Sequence, residues 1–261
     1  MLSVKKHRCV HSLPWIAAGV VFGLIWPAST VAPQPPVYQL PPRVIATDPP
    51  LGATNVDATL TEIKVTFDQP MTTGQAWSWM MLAHHGMYPG QRGGAGPPFD
   101  ATGRTCTLPV RLTANAVYAV GVNSFRHTGF KSAAGIPAVN FGWAFATGGY
   151  EAANLPPSVV SVEPANGATD VDPALAEIKV TFDRPMRTET WSWVKLDACG
   201  QFPGAAGGTP RFDGGARVCS LPVRLMPNTV YAVSINSFEN TGFKDRNGAP
   251  ALPYGWTFRT R

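Results

Sequence analysis

The sequence predicts an all-β protein built of two tandem antiparallel sandwiches, and three observations carry that prediction. First, the chain repeats itself: Glu62–Met71 reads EIKVTFDQPM and Glu177–Met186 reads EIKVTFDRPM, and the echo continues through WSW, LPVRL, VYAV, NSF and TGFK. The offset drifts only from 115 to 113 along the chain, and a repeat of about that length is a duplicated domain, too long for a solenoid unit. Second, the repeated segments alternate apolar and polar residues with a period of two, the signature of strands with one buried face. Third, charged residues make up only 14% of the 261, whereas Gly and Pro number 26 each. That mixture suits short strands joined by turns and leaves little room for amphipathic helices.

Taken in order, residues 1–32 read as a secretory signal or a signal anchor. Lys5, Lys6, His7 and Arg8 precede an apolar run from Leu13 to Trp26, followed by small residues. The run is short of the roughly 20 residues of a full membrane span. Cleavage is expected near Ala28 or Ala32, or else the segment stays on as a tether. Cys9 lies ahead of the apolar run and so is not placed as a lipoprotein acceptor. Residues 33–42 form a Pro-rich, stiff, extended spacer. Lys5, Lys6 and Arg8 also account for much of the net charge of +5: without them 18 basic face 16 acidic side chains. With no basic stripe in the repeats, nucleic acid is not an expected partner.

The first sandwich is expected over 43–148 and the second over 158–261, with 149–157 as a linker that limits their relative motion without abolishing it. In the second copy Val159–Val162 begins a strand, and Ile178, Val180 and Phe182 alternate with Lys179, Thr181 and Asp183 in the next. Pro185 ends that strand because it cannot donate to a ladder. Trp191 and Trp193 then share one side of a strand running to Leu196. A Gly/Pro-rich excursion follows, then strands around Val218–Leu221, Val230–Ile235 and Tyr254–Thr260. Six or seven short strands in about 100 residues read as a sandwich.

The sequence Pro, GAT-x-VD, EIKVTFD-x-PM, VYAV and a closing W-x-F-x-T strand resembles the bacterial Ig-like domain of S-layer-protein type. The likeness spans about residues 43–148 and 158–261 and is densest at Gly52–Asp57 with Thr66–Met71 and at Gly167–Asp172 with Thr181–Met186. It implies modular extracytoplasmic β-sandwiches that serve as spacers or as adhesive and structural units. It implies no catalytic residue and no cofactor.

Candidate sites are few. Cys106 and Cys219 are equivalent in the two copies, whereas Cys199 stands opposite His85. In an oxidising compartment Cys199 and Cys219 are a candidate disulfide, which would place His85 near Cys106 and suggest a Cys/His metal site with His84 alongside. Adjacent histidines on a strand point to opposite faces, which argues against that site. Trp77, Trp79, Trp191 and Trp193 are read as core rings in preference to a sugar-stacking platform. The loops Met87–Pro98 and Gln201–Pro210 are the better binding candidates, with Tyr88, Arg92, Phe202 and Arg211 as the residues to watch. Asp57, Asp68, Asp100, Asp172, Asp183 and Asp213, like Asp245–Gly248, are ascribed to turn formation over calcium ligation. No nucleophile elbow, H-E-x-x-H or phosphate-cradling loop occurs. The expected function is therefore a non-enzymatic envelope module with an unidentified envelope protein or glycan as partner. Its rivals are a carbohydrate- or peptide-binding module using the long loops or exposed tryptophans, and an envelope hydrolase around His84, His85 and Cys106.

Overall fold

In a computed structural model the alternating segments form strands at the places the periodicity marks. The structure describes residues 39–74, 77–91 and 98–261. The first sandwich contains β1 (Val44–Asp48), β2 (Glu62–Phe67), β3 (Trp79–Met81), β4 (Gly90–Gln91), β5 (Thr105–Arg111), β6 (Ala116–Val122) and β7 (Phe141–Thr147). The second contains β8 (Val159–Glu163), β9 (Glu177–Phe182), β10 (Trp193–Lys195), β11 (Gly204–Ala205), β12 (Arg211–Phe212), β13 (Val218–Arg224), β14 (Val230–Ile235) and β15 (Tyr254–Arg259). The signal or anchor segment and most of the Pro-rich spacer lie outside the described residues. Among the described residues no helix is long and apolar enough to cross a membrane.

In each copy one sheet is built on the EIKVTF strand. β2 pairs antiparallel with β1 and β5, and β9 with β8 and β13. The inward residues Ile63, Val65 and Phe67, and Ile178, Val180 and Phe182, are at most 1% exposed, while Lys64 and Lys179 face water in ion pairs. Ile63 packs with Tyr118, Val120, Trp143 and Phe145 of the facing sheet, and Ile178 with Tyr231, Val233, Trp256 and Phe258, while Val65 and Phe67 join Val122 and Phe130, and Val180 and Phe182 join Ile235 and Phe243. Tyr118 and Tyr231 each accept a hydrogen bond at the phenol oxygen from a backbone N–H five residues upstream, Thr113 and Met226, the corner that recurs in Ig-like sandwiches.

The Asn of each NSF motif adopts a left-handed backbone, with φ of 51° at Asn123 and 55° at Asn236. Its carboxamide clasps the TGFK segment. Asn236 Nδ2 donates to the carbonyls of Phe243 and Ala251, and its Oδ1 accepts from the Phe243 N–H. Asn123 does the same with Phe130 and Ala138. The clasp seats Gly129 and Gly242 against the WSW backbone so closely that an added Cβ would lie 2.5 Å from Trp77 and 2.4 Å from Trp191 carbonyl oxygens. A glycine is required there by close approach, not by φ.

The second sheets of the two copies are one sheet. Its order is β10-β14-β15-β7-β6-β3, so the closing strands of the copies meet edge to edge at its centre. Phe141 stands opposite Tyr254, with Gly142 N–H donating to Pro253 O at 2.7 Å and Gly255 N–H to Asn140 O at 2.6 Å. Phe141 and Tyr254 occupy equivalent positions, and the two hydrogen bonds exchange under the repeat, so the junction is an isologous contact with an internal pseudo-two-fold axis. Arg126 pairs with Glu239, its own equivalent, across the same axis at 3.3 Å.

Each copy also covers the outer face of the other's sheet. Leu82, Ala119 and Ala144 pack with Leu252 and Phe238, and Leu196 and Ala232 pack with Val139, a second pair of equivalent contacts. The outward residues of β6, β7, β14 and β15 are accordingly small: Ala119, Gly121, Gly142 and Ala144 in one copy, Ala232, Ser234, Gly255 and Thr257 in the other, all buried. These strands are buried on both faces. The described part of the chain therefore forms one compact unit, and it is this seam, more than the 149–157 linker, that restrains the copies. Pro41 and Pro42, assigned by sequence to the free spacer, are buried, with Pro42 O accepting from the Val139 N–H.

Candidate binding groove at the seam

The pseudo-symmetry is broken on one side of the axis, and a groove of 470 Å³ lies there. It is walled by the loop Ser124–Thr128 with Ala138 and Asn140 from the first copy, and by Ser192–Cys199 with Asn240 from the second. On the opposite side Phe238 packs with Leu82, Ala119 and Ala144. Phe238 lies over Gly121 there, its Cζ only 2.7 Å from where a Cβ would be. The residue equivalent to Gly121 is Ser234, whose hydroxyl donates to Asn236 O at 2.5 Å and accepts from Asn140 Nδ2 at 2.8 Å. With that side chain in place the equivalent ring, Phe125, is left 43% exposed at the groove.

The groove side is also the polar side. WSWMMLAHH in the first copy becomes WSWVKLDAC in the second, so that Lys195 and Asp197 replace Met81 and Ala83, and Asn140 stands where the other copy has Pro253. Lys195 and Asp197 are exposed and have no ion-pair partner among the described residues. Arg126 holds its guanidinium 5.0 Å from the Phe125 ring centroid while pairing with Glu239, which fixes the ring as part of the wall. Asn140 is 3% exposed; its Oδ1 is covered and has no partner, because Ser234 fixes the amide the other way round.

The His85/Cys199 difference falls on the seam. His85, 7% exposed, bonds the carbonyl of Ala251 through Nε2 at 3.1 Å, and Cys199, its equivalent, sits 3.9 Å from the carbonyl of Ala138 and 3.6 Å from that of Pro137. A carbonyl partner requires the proton on Nε2; Nδ1 is buried without a partner. Burial holds the His85 pKa below its ordinary value, partly countered by the Ala251 bond. The unfolded chain therefore binds a proton that the folded chain resists. Stability is full above the unfolded value of about 6.5 and declines as pH falls through it toward the lower folded value. Urea unfolding midpoints at pH 7.5 and 5.5 are expected to show this loss, and to show less of it in His85→Gln.

The candidate disulfide is not formed, and Cys106, Cys199 and Cys219 are free. Cys219 points from β13 into the second core beside Val180, Phe182 and Phe243, whereas Cys199 packs at the seam with Val139 and Leu196, next to the other sheet. Burial pushes all three thiols up to about 12. Cys106 and Cys219 lie beside the indoles of Trp79 and Trp193, which lower the thiol pKa slightly. A thiol reagent at pH 8 is expected to leave these three cysteines unmodified until the protein unfolds.

The remaining predicted residues do not converge. Tyr88 and Phe202 are equivalent, half-buried residues, each clamped on its own core, and burial raises the Tyr88 pKa. Arg211 on β12 pairs with Glu177 on β9, reaching across β13. Arg92 lies outside the described residues. The four WSW tryptophans are half-buried and packed against the cores, and Trp193 also borders the groove. His84 is exposed, His85 is at the seam and Cys106 is in the first core, so the hydrolase and metal constellation is dispersed. Among the described residues no group of three or more His, Cys, Asp or Glu is placed to hold a metal ion. Of the paired aspartates, Asp68 and Asp183 depart from the turn role expected of them and accept from the Arg43 and Ser158 N–H groups, 25 residues upstream, whereas the others work locally. Asp57 and Asp172 accept the N–H two residues on, Asp100 and Asp213 each accept two backbone N–H groups of their turns, and Asp245 accepts from Asn247 and Ala249. Hydrogen bonding holds the Asp57, Asp100 and Asp213 carboxyls below the usual carboxylate range.

Sheet order, tyrosine corners and the dispersal of reactive groups define a pair of Ig-like β-sandwich modules. The chain belongs to the bacterial Ig-like domain family, whose model matches it twice, over residues 39–147 and 153–260. Among solved structures it is similar to the N-terminal part of the bacterial S-layer protein SbsC, at 14% identity over 85% of this chain and 44% of that one, with a TM-score of 0.28. It is also similar to InvD of Yersinia pseudotuberculosis, at 12% identity over 84% of this chain and 57% of that one, with a TM-score of 0.25. A titin fragment, A168169, matches at 12% identity over 85% and 97% of the two chains, with a TM-score of 0.22. The chain spans less than half the length of the SbsC structure. No curated protein matches it.

Proposed function

We propose that the protein is a non-enzymatic structural and adhesive unit of the bacterial cell envelope, in which duplication has produced a rigid two-module strut. The observation that carries this reading is the seam. Tandem modules joined only by a linker reorient freely, whereas here a six-stranded sheet runs through both copies, and apolar side chains from each copy cover the other. Such a body transmits position and load across two modules as one. The basic and apolar N-terminal segment supports export, with the repeats outside the cytoplasm, secreted or tethered. Membership of the bacterial Ig-like family supports a structural role over a catalytic one.

Fractionation of cells producing the full chain with a C-terminal tag tests the location: the protein is expected in the envelope or the medium, and recovery from the cytosol would overturn the reading. Calorimetry of the purified chain tests the strut. One cooperative transition is expected, and two separated transitions would contradict it.

A further inference from the structure

The geometry points to the seam groove as a saccharide-binding site, with Phe125 as the stacking ring and Thr128, Asn240 and Asp197 as the hydroxyl-binding groups. This goes beyond the strut reading and rests on its closed seam, whose loss would show as two unfolding transitions, whereas failure of the site alone would show as absent sugar binding with a single transition.

Three observations lead there. The groove's 470 Å³ lies within the range of small-ligand sites. It is present on one side of a pseudo-symmetric body whose other side carries Phe238 over Gly121, and the residues that open it (Ser234 for Gly121, Asn140 for Pro253) come with a carboxylate at its border (Asp197 for Ala83). Plain divergence of a buried contact would be expected to refill the space with apolar groups, because an open polar crevice at a seam forfeits packing. The chemistry of the lining is the third observation. One exposed aromatic ring, held by Arg126 at 5.0 Å, faces a space bordered by a hydroxyl, a carboxamide and a carboxylate.

A pyranose ring offers the complement: an apolar C–H face for Phe125 and a rim of hydroxyls that both donate and accept. Asp197 suits two adjacent hydroxyl donors, whereas Thr128 donates to ring or hydroxyl oxygens, and Asn240 serves either way. An extended peptide is the poorer fit. The strand bordering the groove, β10, offers three residues of edge, too little ladder for strand addition, whose affinity comes from main-chain bonds. Because both modules supply walls, the site exists only while the seam is closed.

Titration of the full chain with cellotetraose, maltotetraose and the tetramer of N-acetylglucosamine, followed by calorimetry and tryptophan fluorescence, tests the assignment. Saturable binding of at least one sugar is expected. Phe125→Ala should weaken it about tenfold and Asp197→Asn should weaken it further, each with an unchanged unfolding midpoint because both side chains are exposed. Met81→Ala, on the closed side, should leave binding unaltered. Absence of saturable binding by all three sugars at millimolar concentration would overturn the proposal, as would binding indifferent to Phe125→Ala. Capture of peptides from a random mixture that is lost in Phe125→Ala, with no sugar bound, would also overturn it, in favour of a peptide site.

Discussion

Asn236→Ala is expected to lower stability by about 3–5 kcal/mol, enough to threaten the fold when a domain's whole margin is about 5–15 kcal/mol. The side chain is fully buried and makes three hydrogen bonds, two donated to the carbonyls of Phe243 and Ala251 and one accepted from the Phe243 N–H. Alanine leaves those backbone groups inside the core with no partner and must also hold a φ of 55°, which asparagine tolerates better. The damage would reach the seam, because the Ala251 carbonyl also accepts from His85 Nε2. Chemical denaturation of wild type and variant checks the magnitude, with Asn123→Ala expected to behave alike. A loss below about 1 kcal/mol would mean that the clasp contributes little beyond an ordinary surface turn.

Gly255→Val is the second large effect, and its character differs. A Cβ at Gly255 would lie 2.5 Å from Asn140 O and 2.6 Å from Val139 Cβ, both belonging to the other module. The clash is with backbone across the seam and cannot be relieved by a rotamer change. The two sandwiches should part while each keeps its own core, costing about 2–4 kcal/mol and splitting one unfolding transition into two. Gly142→Val should act in the same way through Pro253 Cδ at 2.8 Å. Gly214, with open space around it and no special backbone angle, supplies a control that should tolerate valine. A single undivided transition in Gly255→Val would show that the modules cohere without the central strand pairing.

The sandwiches were legible because their strands obey a period of two against a pattern of turns. Glu62, Lys64 and Thr66 mark the wet face of β2 as plainly as Ile63, Val65 and Phe67 mark its dry one. The turn aspartates were legible for the same local reason. The seam is a long-range contact, and its signal is quieter. In VYAVGV the residues that should face water are Val117, Ala119 and Gly121, and in FGWAFAT they are Gly142, Ala144 and Ala146, where EIKVTF has Glu, Lys and Thr. Small residues on the outer face of a strand mark close approach by another chain segment, and that reading would have found the shared sheet.

The groove was half legible. His85 against Cys199 stood out as an asymmetry between the copies, and the structure places it at the seam. Its interpretation as one half of a disulfide failed because Cys219 points into the second core while Cys199 faces the first module. Loop length pointed to Tyr88 and Phe202, but each of these rings is anchored on its own core. The more informative substitutions, Ser234 for Gly121 and Asn140 for Pro253, sit inside segments that otherwise match, where likeness hides them.

The claim that the two modules are one body rests on two amides, Gly142 N–H and Gly255 N–H, each donating across the seam. Hydrogen exchange at these two positions, read by NMR in the full chain, tests it most directly. Protection comparable to that of the core amides of Trp143 and Trp256 is the predicted result. Exchange at the rate of an open peptide, with the sandwich cores still protected, would show that the modules separate and would contradict the account.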